Sequence, residues 1–415
     1  MRWRNLARLF SNTTSIHLTF NRMDLTKKNI LELVPAIRMI MSFQSLKSGS
    51  FVPLDRLVDT DPEQITLRLG RSISVFKGEP DQVLKDIEKA RDDIGEYSFI
   101  EGLGLLGLSA NKSKIEQKLG TVRKESRGAG LPDSVASPQI RKPLYNKVIA
   151  VTGGAMGYGA GISRHLFDEG ANVVVMDINE EAGQELVGNL NGQKTANRAY
   201  FIQTDVTDLN SVINAVYETV LEFTGLDVMI SNAGVLKVGG VEELDPESFD
   251  FVTRVNYHGY YNCVKAAVQV MKVQNRYAAA NYGDIIQINS KSGVVGSKKN
   301  FAYAGSKFAG IGLTQSFAME LMVDRIKVNA ICPGNFFEGP LWSDPENGLF
   351  RQYLKAGKVP GAKTIEEVKH HYESMVPAGR GCRIEDVVKA IRYVIDQEYE
   401  TGQAIMVTGG QVMLS

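Results

Sequence analysis

Short apolar stretches alternate with amphipathic ones through the second part of the chain. The apolar stretches are KVIAVTG, ANVVVMDIN, AYFIQTDV and LDVMISNAG, and between them GAGISRHLFDEG and residues 209–223 show apolar positions at helical spacing. Strands that alternate with helices of about 10 to 15 residues form βαβ units around a parallel sheet. Because helices cover both faces of such a sheet, its strands are almost wholly apolar. The pattern predicts a doubly wound parallel α/β fold of Rossmann type.

The first part of the chain is organised differently. TKKNILELVPAIRMIMSF and DQVLKDIEKARDDI show helical spacing, and EYSFIEGLGLLGLSANKSKIEQKLG predicts a strand, a glycine turn and a helix. Residues 121–146 are rich in Gly, Pro, Ser and charge, as linkers are. We therefore expect an accessory N-terminal region with a small α/β segment over 1–120, a linker over 121–146 and a larger α/β domain over 147–415.

The charge balance excludes some classes of partner. The 415 residues include 47 Lys plus Arg and 47 Asp plus Glu, and the pI is near 7.0. Nucleic-acid-binding domains usually show a basic patch and a high pI. A membrane span needs roughly 20 consecutive apolar residues, and the sequence has no such run. We expect neither nucleic acid nor a membrane as a partner.

Cysteine and histidine are scarce and scattered. Cys263, Cys332 and Cys382 form no paired motif, which is typical of a reducing compartment. The five histidines show no HxxxH spacing, so no metal site is expected. These features predict a cytoplasmic protein. Residues 1–22 contain four arginines and no acid, which resembles a mitochondrial targeting segment; a surface helix, or sequence upstream of a start at Met23, are the alternatives.

The stretch TGGAMGYG, residues 152–159, joins a predicted strand to a predicted helix. Gly153, Gly157 and Gly159 let the backbone turn sharply and approach a pyrophosphate, whose charge is favoured at a helix N terminus. A tight turn without a ligand is the alternative. The position between strand and helix favours nucleotide binding.

Polar residues follow the next strands. Asp177, 18 residues after Gly159, can accept hydrogen bonds from ribose hydroxyls and would repel the 2′-phosphate of NADP, which favours NAD. A turn residue or helix cap is the alternative for this aspartate. At the following strand ends we expect further cofactor contacts, by Asp205, Val206, Asn232, Ala233 and Gly234.

The order and spacing of these motifs resemble the short-chain dehydrogenase/reductase family from about Lys147 to the C terminus. The family's functional positions fall on Thr152, Gly153, Gly157, Tyr158, Gly159, Asn232, Ala233, Gly234, Asn256, Ser290, Tyr303, Lys307, Pro333 and Gly334. Two positions depart from the family pattern. Tyr158 stands where isoleucine is more common, and Glu338 stands where a threonine often contacts the nicotinamide.

The resemblance implies that Tyr303 and Lys307, in YAGSKFAG, transfer a proton and contact the cofactor. A free tyrosine has a pKa near 10, and a lysine one helical turn away would favour the phenolate and lower that pKa. Ser290, 13 residues before Tyr303, would stabilise charge on the substrate oxygen. Ser292 is a rival for that role. By resemblance Asn256 anchors a water that relays protons, and a buried amide bonded to the backbone is the alternative.

Within the family, the stretches IIQINSKSGVVGSKKN, GIGLTQSFAMEL, VPAGRGC and TGQAIMVTGGQVM resemble sorbitol-6-phosphate 2-dehydrogenases. Lys298, Lys299 and Arg380 are the candidate cations for a substrate phosphate, and solvated surface charges are the alternative. Residues 341–376 occupy the position of the family's substrate lid, where Trp342, Phe350 and Tyr353 would either close over the substrate or pack lid helices together.

The sequence therefore predicts an NAD-dependent oxidoreductase that interconverts a secondary alcohol and a ketone, with sorbitol 6-phosphate and fructose 6-phosphate as the expected pair. Another polyol, a hydroxyaldehyde or a 3-oxoacyl compound is the alternative substrate. A dinucleotide-binding scaffold without catalysis is the alternative of another class. Family resemblance also implies a homo-oligomer, a dimer or tetramer. About 25 residues of the N-terminal region faintly resemble the end of a class II aldolase domain, so this region is a possible remnant of one.

Overall fold

The computed structural model of the protein describes residues 25–42, 47–69, 71–101, 103–109, 112–123, 142–193, 195–346, 348–355, 357 and 359–413. Most of the predicted linker and the arginine-rich segment 1–22 lie outside these ranges, so the predictions made for them stay predictions. The described residues form two sheets, a small mixed one and a large parallel one.

The small sheet is formed by the N-terminal region. Its strands, in the spatial order β1-β4-β3-β2, are β1 (Ser48–Pro53), β2 (Ser74–Phe76), β3 (Tyr97–Ile100) and β4 (Gly104–Ser109). The helices of this region are α1 (Leu25–Met41), α2 (Pro62–Leu69), α3 (Pro80–Ala90) and α4 (Lys112–Leu119). The predicted glycine turn is shorter than expected, because GLLGLS forms β4 and pairs antiparallel with both β1 and β3.

Alternate residues of β4 face two different apolar clusters. Leu105 packs with Ile115 and with residues of α2 and α4, whereas Leu106 and Leu108 pack with α1. Because both faces of β4 are covered, the strand shows no polar alternation in the sequence.

The large sheet contains seven parallel strands in the order β11-β10-β9-β8-β5-β6-β7. They are β5 (Val148–Thr152), β6 (Asn172–Asp177), β7 (Ala199–Gln203), β8 (Val228–Ser231), β9 (Gly283–Ile288), β10 (Ile326–Pro333) and β11 (Ala404–Val407). The predicted doubly wound α/β fold is confirmed.

Helices cover both faces of this sheet. They are α5 (Gly157–Asp168), α6 (Glu180–Asn191), α7 (Leu209–Phe223), α8 (Pro246–Thr253), α9 (Gly259–Tyr277), α10 (Phe301–Leu321), α11 (Pro340–Ser343), α12 (Leu349–Lys355), α13 (Ile365–Ser374) and α14 (Ile384–Asp396). Helices α5, α6 and α14 pack on one face, and α7, α9 and α10 pack on the other. None of the helices in the described ranges is long and apolar enough to cross a membrane.

Helix α1 packs against α7 and α9. Ile30, Leu33 and Val34 are almost fully buried and belong to the same apolar cluster as Val216 and Val264 of the large unit. The helices of the N-terminal region and those of the large sheet therefore share one continuous apolar core.

The strand order reverses between β5 and β8, where the chain winds outward in two directions. In open α/β sheets, ligands bind in the crevice at the carboxyl ends of the strands at such a switch point. The predicted nucleotide and catalytic residues follow the carboxyl ends of β5, β6, β7, β8, β9 and β10, so the topology brings them to the same edge.

Candidate active site

The glycine turn after β5 leaves open space for a ligand. Gly157 has a φ of 54°, in the left-handed region, and a Cβ built on it would have no neighbour within 4 Å. A Cβ on Gly159 would instead overlap the carbonyl oxygen of Gly153 and lie 2.7 Å from Nδ2 of Asn232. Gly157 thus leaves open the space above the N terminus of α5, which we call the glycine cradle, and Gly159 allows α5 to approach the turn closely. These residues fit a pyrophosphate.

Asn232 fastens this turn to β8. Its Nδ2 donates to the carbonyl oxygens of Thr152 and Gly153, both at 3.0 Å. The hydroxyl of Thr152 accepts from the backbone N–H groups of Asn232 at 3.1 Å and Ala233 at 3.2 Å. The predicted Asn-Ala-Gly motif therefore supports the cradle, and Gly234 beside it keeps the backbone close to Asn256 and Lys307.

Asp177 lies at the end of β6, next to the glycine turn. One carboxylate oxygen accepts from the backbone N–H of Ala155 at 2.9 Å, and the other accepts from that of Asn179 at 3.0 Å. Each carboxylate oxygen can accept more than one hydrogen bond. Asp177 therefore braces the turn and retains acceptor capacity for a ribose hydroxyl.

Asp205 and Val206 shape the loop between β7 and α7. The carboxylate of Asp205 accepts from the backbone N–H and the hydroxyl of Thr207, both at 2.8 Å. Val206 is buried, and its carbonyl oxygen accepts from Nδ2 of Asn262 at 2.9 Å. The contacts of these two residues hold the loop, and their proposed approach to adenine stays a prediction.

Helix α10 carries the predicted proton-transfer pair on one face. Nζ of Lys307 lies 5.5 Å from the centre of the Tyr303 ring and donates to the carbonyl oxygen of Ile288 at 2.9 Å. Burial lowers the pKa of Lys307 to about 8. The Ser290 hydroxyl lies near enough to Tyr303 to lower the pKa of its phenol. The structure thus brings Ser290, Tyr303 and Lys307 together.

Ser292 supports the site through its backbone. Its N–H donates to the hydroxyl of Ser290 at 3.1 Å and fixes the start of the turn Lys291–Gly293. The serine whose side chain reaches Tyr303 is Ser290.

The pKa of Tyr303 does not follow the sequence prediction. Burial raises it, and Ser290 lowers it only in part. Lys307 is not among the groups that shift this pKa; its ammonium group lies over the ring face and donates to Ile288. A lowering of the Tyr303 pKa by Lys307 in the complex with cofactor and substrate stays a prediction.

Asn256 sits in a π-helical turn, Arg254–His258, between α8 and α9. Its Oδ1 accepts from the backbone N–H of Val235 at 2.8 Å, and its Nδ2 donates to Val235 O at 2.9 Å and Ser306 Oγ at 3.0 Å. π-Helical turns are frequent at functional sites. The amide is buried and ties α9 to α10, so a water relay through it stays a prediction.

Tyr158 and Phe336 stack across the cleft, with ring centres 4.4 Å apart and an interplanar angle of 26°. The Tyr158 hydroxyl is buried and makes no standard hydrogen bond to the described part of the chain. Burial, with a smaller effect from the Cys382 thiol beside it, raises the pKa of Tyr158. An orphaned donor next to the glycine cradle fits a polar group of a bound dinucleotide.

The loop after β10 borders the cleft and contains Glu338, whose lack of contact with the nicotinamide stays a prediction. The N–H of Gly334 donates to the carbonyl oxygen of Val407 at 2.9 Å, which holds Pro333-Gly334 at the edge of the cleft. Glu338 points to Arg383, with 3.6 Å between Nε and Oε1, and both side chains are more than half exposed. Glu338 therefore does not replace the threonine that this position often carries in the family.

The lid aromatics pack on one another. Trp342 lies 5.0 Å from Phe350 and 5.9 Å from Tyr353, measured between ring centres. Phe337, Trp342 and Phe350 are buried in one cluster with residues of α13. Of the two roles considered for these aromatics, the contacts favour packing of lid helices.

The three predicted phosphate cations differ in their surroundings. Nζ of Lys299 pairs with Glu243 at 3.0 Å, and both side chains are more than half exposed. Arg380 forms two hydrogen bonds to Asp386, at 2.6 and 3.0 Å. Lys298 is exposed to solvent. Binding of substrate by these residues stays a prediction.

Sequence reasoning passed over Lys291, which follows Ser290 directly. Its side chain is half-buried, and it makes no hydrogen bond or ion pair with any residue that the structure describes. Burial is the cause that lowers its pKa. The signal was present in the sequence, because SKSG places a lysine one residue after the serine that reaches Tyr303.

Comparison with known proteins agrees with this geometry. The model of the short chain dehydrogenase family matches residues 147–341. The sorbitol-6-phosphate 2-dehydrogenase of Escherichia coli (strain K12) is 35% identical over 272 residues, which are 65% of this chain and 99% of that protein. The 3-oxoacyl-[acyl-carrier-protein] reductase FabG of Thermotoga maritima is 30% identical over 272 residues, 65% of this chain and 99% of that protein.

A solved structure is similar as well. The sorbitol-6-phosphate 2-dehydrogenase SrlD from Erwinia amylovora is 36% identical, with a TM-score of 0.59, and the match covers 64% of this chain and 100% of that one. The likeness to full-length relatives thus accounts for about two thirds of the chain.

Proposed function

Since the chain belongs to the short-chain dehydrogenase family, we propose that it oxidises sorbitol 6-phosphate to fructose 6-phosphate with NAD, and catalyses the reverse reduction. The family's chemistry is hydride exchange between an alcohol or carbonyl carbon and a nicotinamide dinucleotide. The observation that carries the proposal is the grouping of three side chains: Ser290 lowers the pKa of the Tyr303 phenol, and the buried Lys307 ammonium lies over the same ring.

NAD held at the turn of Gly153, Gly157 and Gly159 would supply the hydride acceptor for the substrate carbon. Tyr303, as phenolate, takes the proton from the alcohol oxygen and later releases it to solvent. Ser290 donates a hydrogen bond to that oxygen and stabilises the charge that develops there. Lys307 holds a positive charge beside the ring, which favours the phenolate once the substrate oxygen and cofactor are in place.

NAD is favoured over NADP by the position of Asp177. Its carboxylate is largely buried and borders the glycine cradle, where it accepts from Ala155. A 2′-phosphate placed against this carboxylate would meet a like charge, whereas ribose hydroxyls would donate to it.

The choice of sorbitol 6-phosphate rests on the likeness to the relatives from Escherichia coli and Erwinia amylovora, whose names state that substrate. The lysines of SKSGVVGSKKN, on the segment between Ser290 and Tyr303, supply positive charge for a phosphate. A 3-oxoacyl substrate is the second candidate, because FabG of Thermotoga maritima matches over nearly its whole length. A dinucleotide-binding scaffold without catalysis would not require Ser290, Tyr303 and Lys307 to lie together.

The first 120 residues are proposed as a stabilising accessory region. Their helix α1 is buried against α7 and α9, so the region contributes to the core behind the active site. Its descent from an aldolase-like domain, the homo-oligomeric state and the cytoplasmic location remain proposals on the grounds given from the sequence.

The test is the absorbance of reduced nicotinamide when NAD is supplied with sorbitol 6-phosphate or with free sorbitol. We expect rapid reduction with the phosphate and loss of the signal in Tyr303→Phe. Tyr399→Phe, which alters a 98% exposed tyrosine, is the matched control and should keep full activity. Absence of reduction with either polyol would overturn the substrate, and reduction by Tyr303→Phe at the normal rate would overturn the mechanism.

A further inference from the structure

Lys291 is a half-buried cation without a counter-charge. Its side chain is partly covered, and it has no hydrogen-bond or ion-pair partner in the described ranges. A buried charge is costly unless another group pairs with it. Burial lowers the pKa of Lys291 and no other cause acts on it, which is consistent with an ammonium group that lacks an acid nearby.

The other cations considered for the substrate already have different surroundings. Lys299 is paired with Glu243, and Arg380 is clamped by Asp386. Lys298 is exposed, so water compensates its charge. Of these four, Lys291 is the one that is both desolvated and unpaired.

The position of Lys291 is fixed by the catalytic residues. The turn Lys291–Gly293 packs against α10, which carries Tyr303, and against β10. The hydroxyl of Ser290 caps this turn by accepting from Ser292 N at 3.1 Å. A lysine side chain is a flexible four-carbon stem with a compact charge at its end. Such a side chain is long enough to contact a substrate group several atoms away from the oxygen at Ser290.

We infer that Lys291 binds the anionic group of the substrate and makes the enzyme selective for phosphorylated over neutral polyols. This inference rests on the proposed function. In sorbitol 6-phosphate the second carbon is oxidised and the phosphate is at the far end of the carbon chain. With the second carbon at Ser290 and Tyr303, the dianion pairs with the Lys291 ammonium in a charge-assisted hydrogen bond.

The first test compares kcat/KM for sorbitol 6-phosphate with kcat/KM for free sorbitol in the full-length chain. Lys291→Met should lower the ratio of the two values about 10- to 100-fold, as expected for a lost hydrogen bond between charged groups. Lys85→Met, the same change at an exposed lysine of α3, should leave the ratio unchanged. Lys291→Arg keeps the charge and should restore part of the preference. A ratio that Lys291→Met leaves unchanged overturns the inference.

The second test does not depend on turnover. Reductive methylation followed by mass spectrometry measures the labelling rates of Lys291 and of Lys85, an exposed lysine of α3, with saturating NAD present so that the pyrophosphate cradle is filled. Inorganic phosphate, and then sorbitol 6-phosphate, should slow the labelling of Lys291 several-fold and leave Lys85 unaffected. Equal labelling with and without both anions would overturn the anion site.

The two proposals can fail separately. Protection of Lys291 by phosphate in a protein that does not oxidise sorbitol 6-phosphate supports the anion site and removes the proposed substrate. Oxidation of sorbitol 6-phosphate with an unprotected Lys291 supports the proposed function and overturns the role of this lysine.

Discussion

The ammonium group of Lys307 lies over the ring of Tyr303, 5.5 Å from its centre, and is anchored by the carbonyl oxygen of Ile288. Lys307 is four positions after Tyr303 on α10, so one helical turn fixes their spacing. Lys307 therefore supplies charge to the ring without donating to its hydroxyl, and that hydroxyl stays available to Ser290 and the substrate.

Lys307→Met should slow alcohol oxidation at neutral pH by about 10²- to 10⁴-fold, the usual range for loss of an acid–base group. In the complex with cofactor and substrate, loss of this cation should raise the pKa of Tyr303, so the acid limb of the kcat profile should move to higher pH. The pKa of Lys307 is about 8, so the wild-type advantage should shrink as the pH rises through that value. Lys265→Met, at a half-buried lysine of α9 whose Nζ donates to the Tyr261 hydroxyl, is the control. A rate ratio that is constant from pH 6 to 10 contradicts this role.

Asp177→Asn should weaken the preference for NAD. The amide retains one oxygen that can brace the turn but removes the charge that opposes a 2′-phosphate. We expect the ratio of kcat/KM for NAD to that for NADP to fall at least about tenfold, or ~1.4 kcal/mol. Asp205→Asn should affect both cofactors alike, because the adenine is common to them. An unchanged ratio in Asp177→Asn would remove the basis for assigning NAD.

The sequence was sufficient to predict which polar residues and glycines follow the carboxyl ends of the strands, because these constraints are local. A glycine turn after a strand, an aspartate at the end of the next strand and a tyrosine–lysine pair on a helix are each set by neighbours along the chain. The parallel order then brings the strand ends together. Asn232 illustrates the limit of this reasoning, since its side chain supports the carbonyls of Thr152 and Gly153 instead of facing the cleft.

What the sequence could not predict depends on distant partners and burial. Strand β4 forms in the segment predicted as a glycine turn because it pairs with β1, which lies more than 50 residues earlier in the chain. Burial, which raises the pKa of Tyr303, is decided by packing across the whole site. The same holds for Lys291. Lys299 pairs with Glu243, whereas Lys291 has no hydrogen-bond or ion-pair partner among the residues that the structure describes, and the sequence alone does not reveal this difference.

Gly159→Ala should abolish tight dinucleotide binding while leaving the protein folded. The added methyl would overlap Gly153 O and crowd Nδ2 of Asn232, so α5 must move away from the cradle. We expect the dissociation constant for NADH, measured by fluorescence titration, to rise at least about tenfold. Gly188→Ala, in α6 with nothing within 4 Å of the new Cβ, is the control and should bind normally. Normal affinity in Gly159→Ala would contradict the proposed placement of the pyrophosphate.

The N-terminal region and the large sheet are joined by a buried ion pair. Arg38 of α1 donates to both carboxylate oxygens of Asp227, at 3.1 and 2.7 Å. Asp227, at the start of β8, also accepts from Gln274 Nε2 at 3.0 Å and from the backbone N–H of Val148 at 2.7 Å. Arg38 holds the pKa of Asp227 below its usual range despite burial.

Arg38→Met should lower the free energy of unfolding by about 3–5 kcal/mol, because it leaves a buried carboxylate without its cation. Arg56→Met is the control, since the side chains of Arg56 and Glu218 are 42% and 28% exposed and such pairs contribute about 0–1 kcal/mol. The folded-state pKa of Asp227 is lowered, so the pair stabilises the fold above the unfolded pKa of about 3.9 and loses that effect as the pH falls through the folded value. Urea titrations should therefore show the largest gap between wild type and Arg38→Met near neutral pH and a narrowing gap in acid. A variant as stable as the control at pH 7 would mean that α1 is held by its apolar face alone.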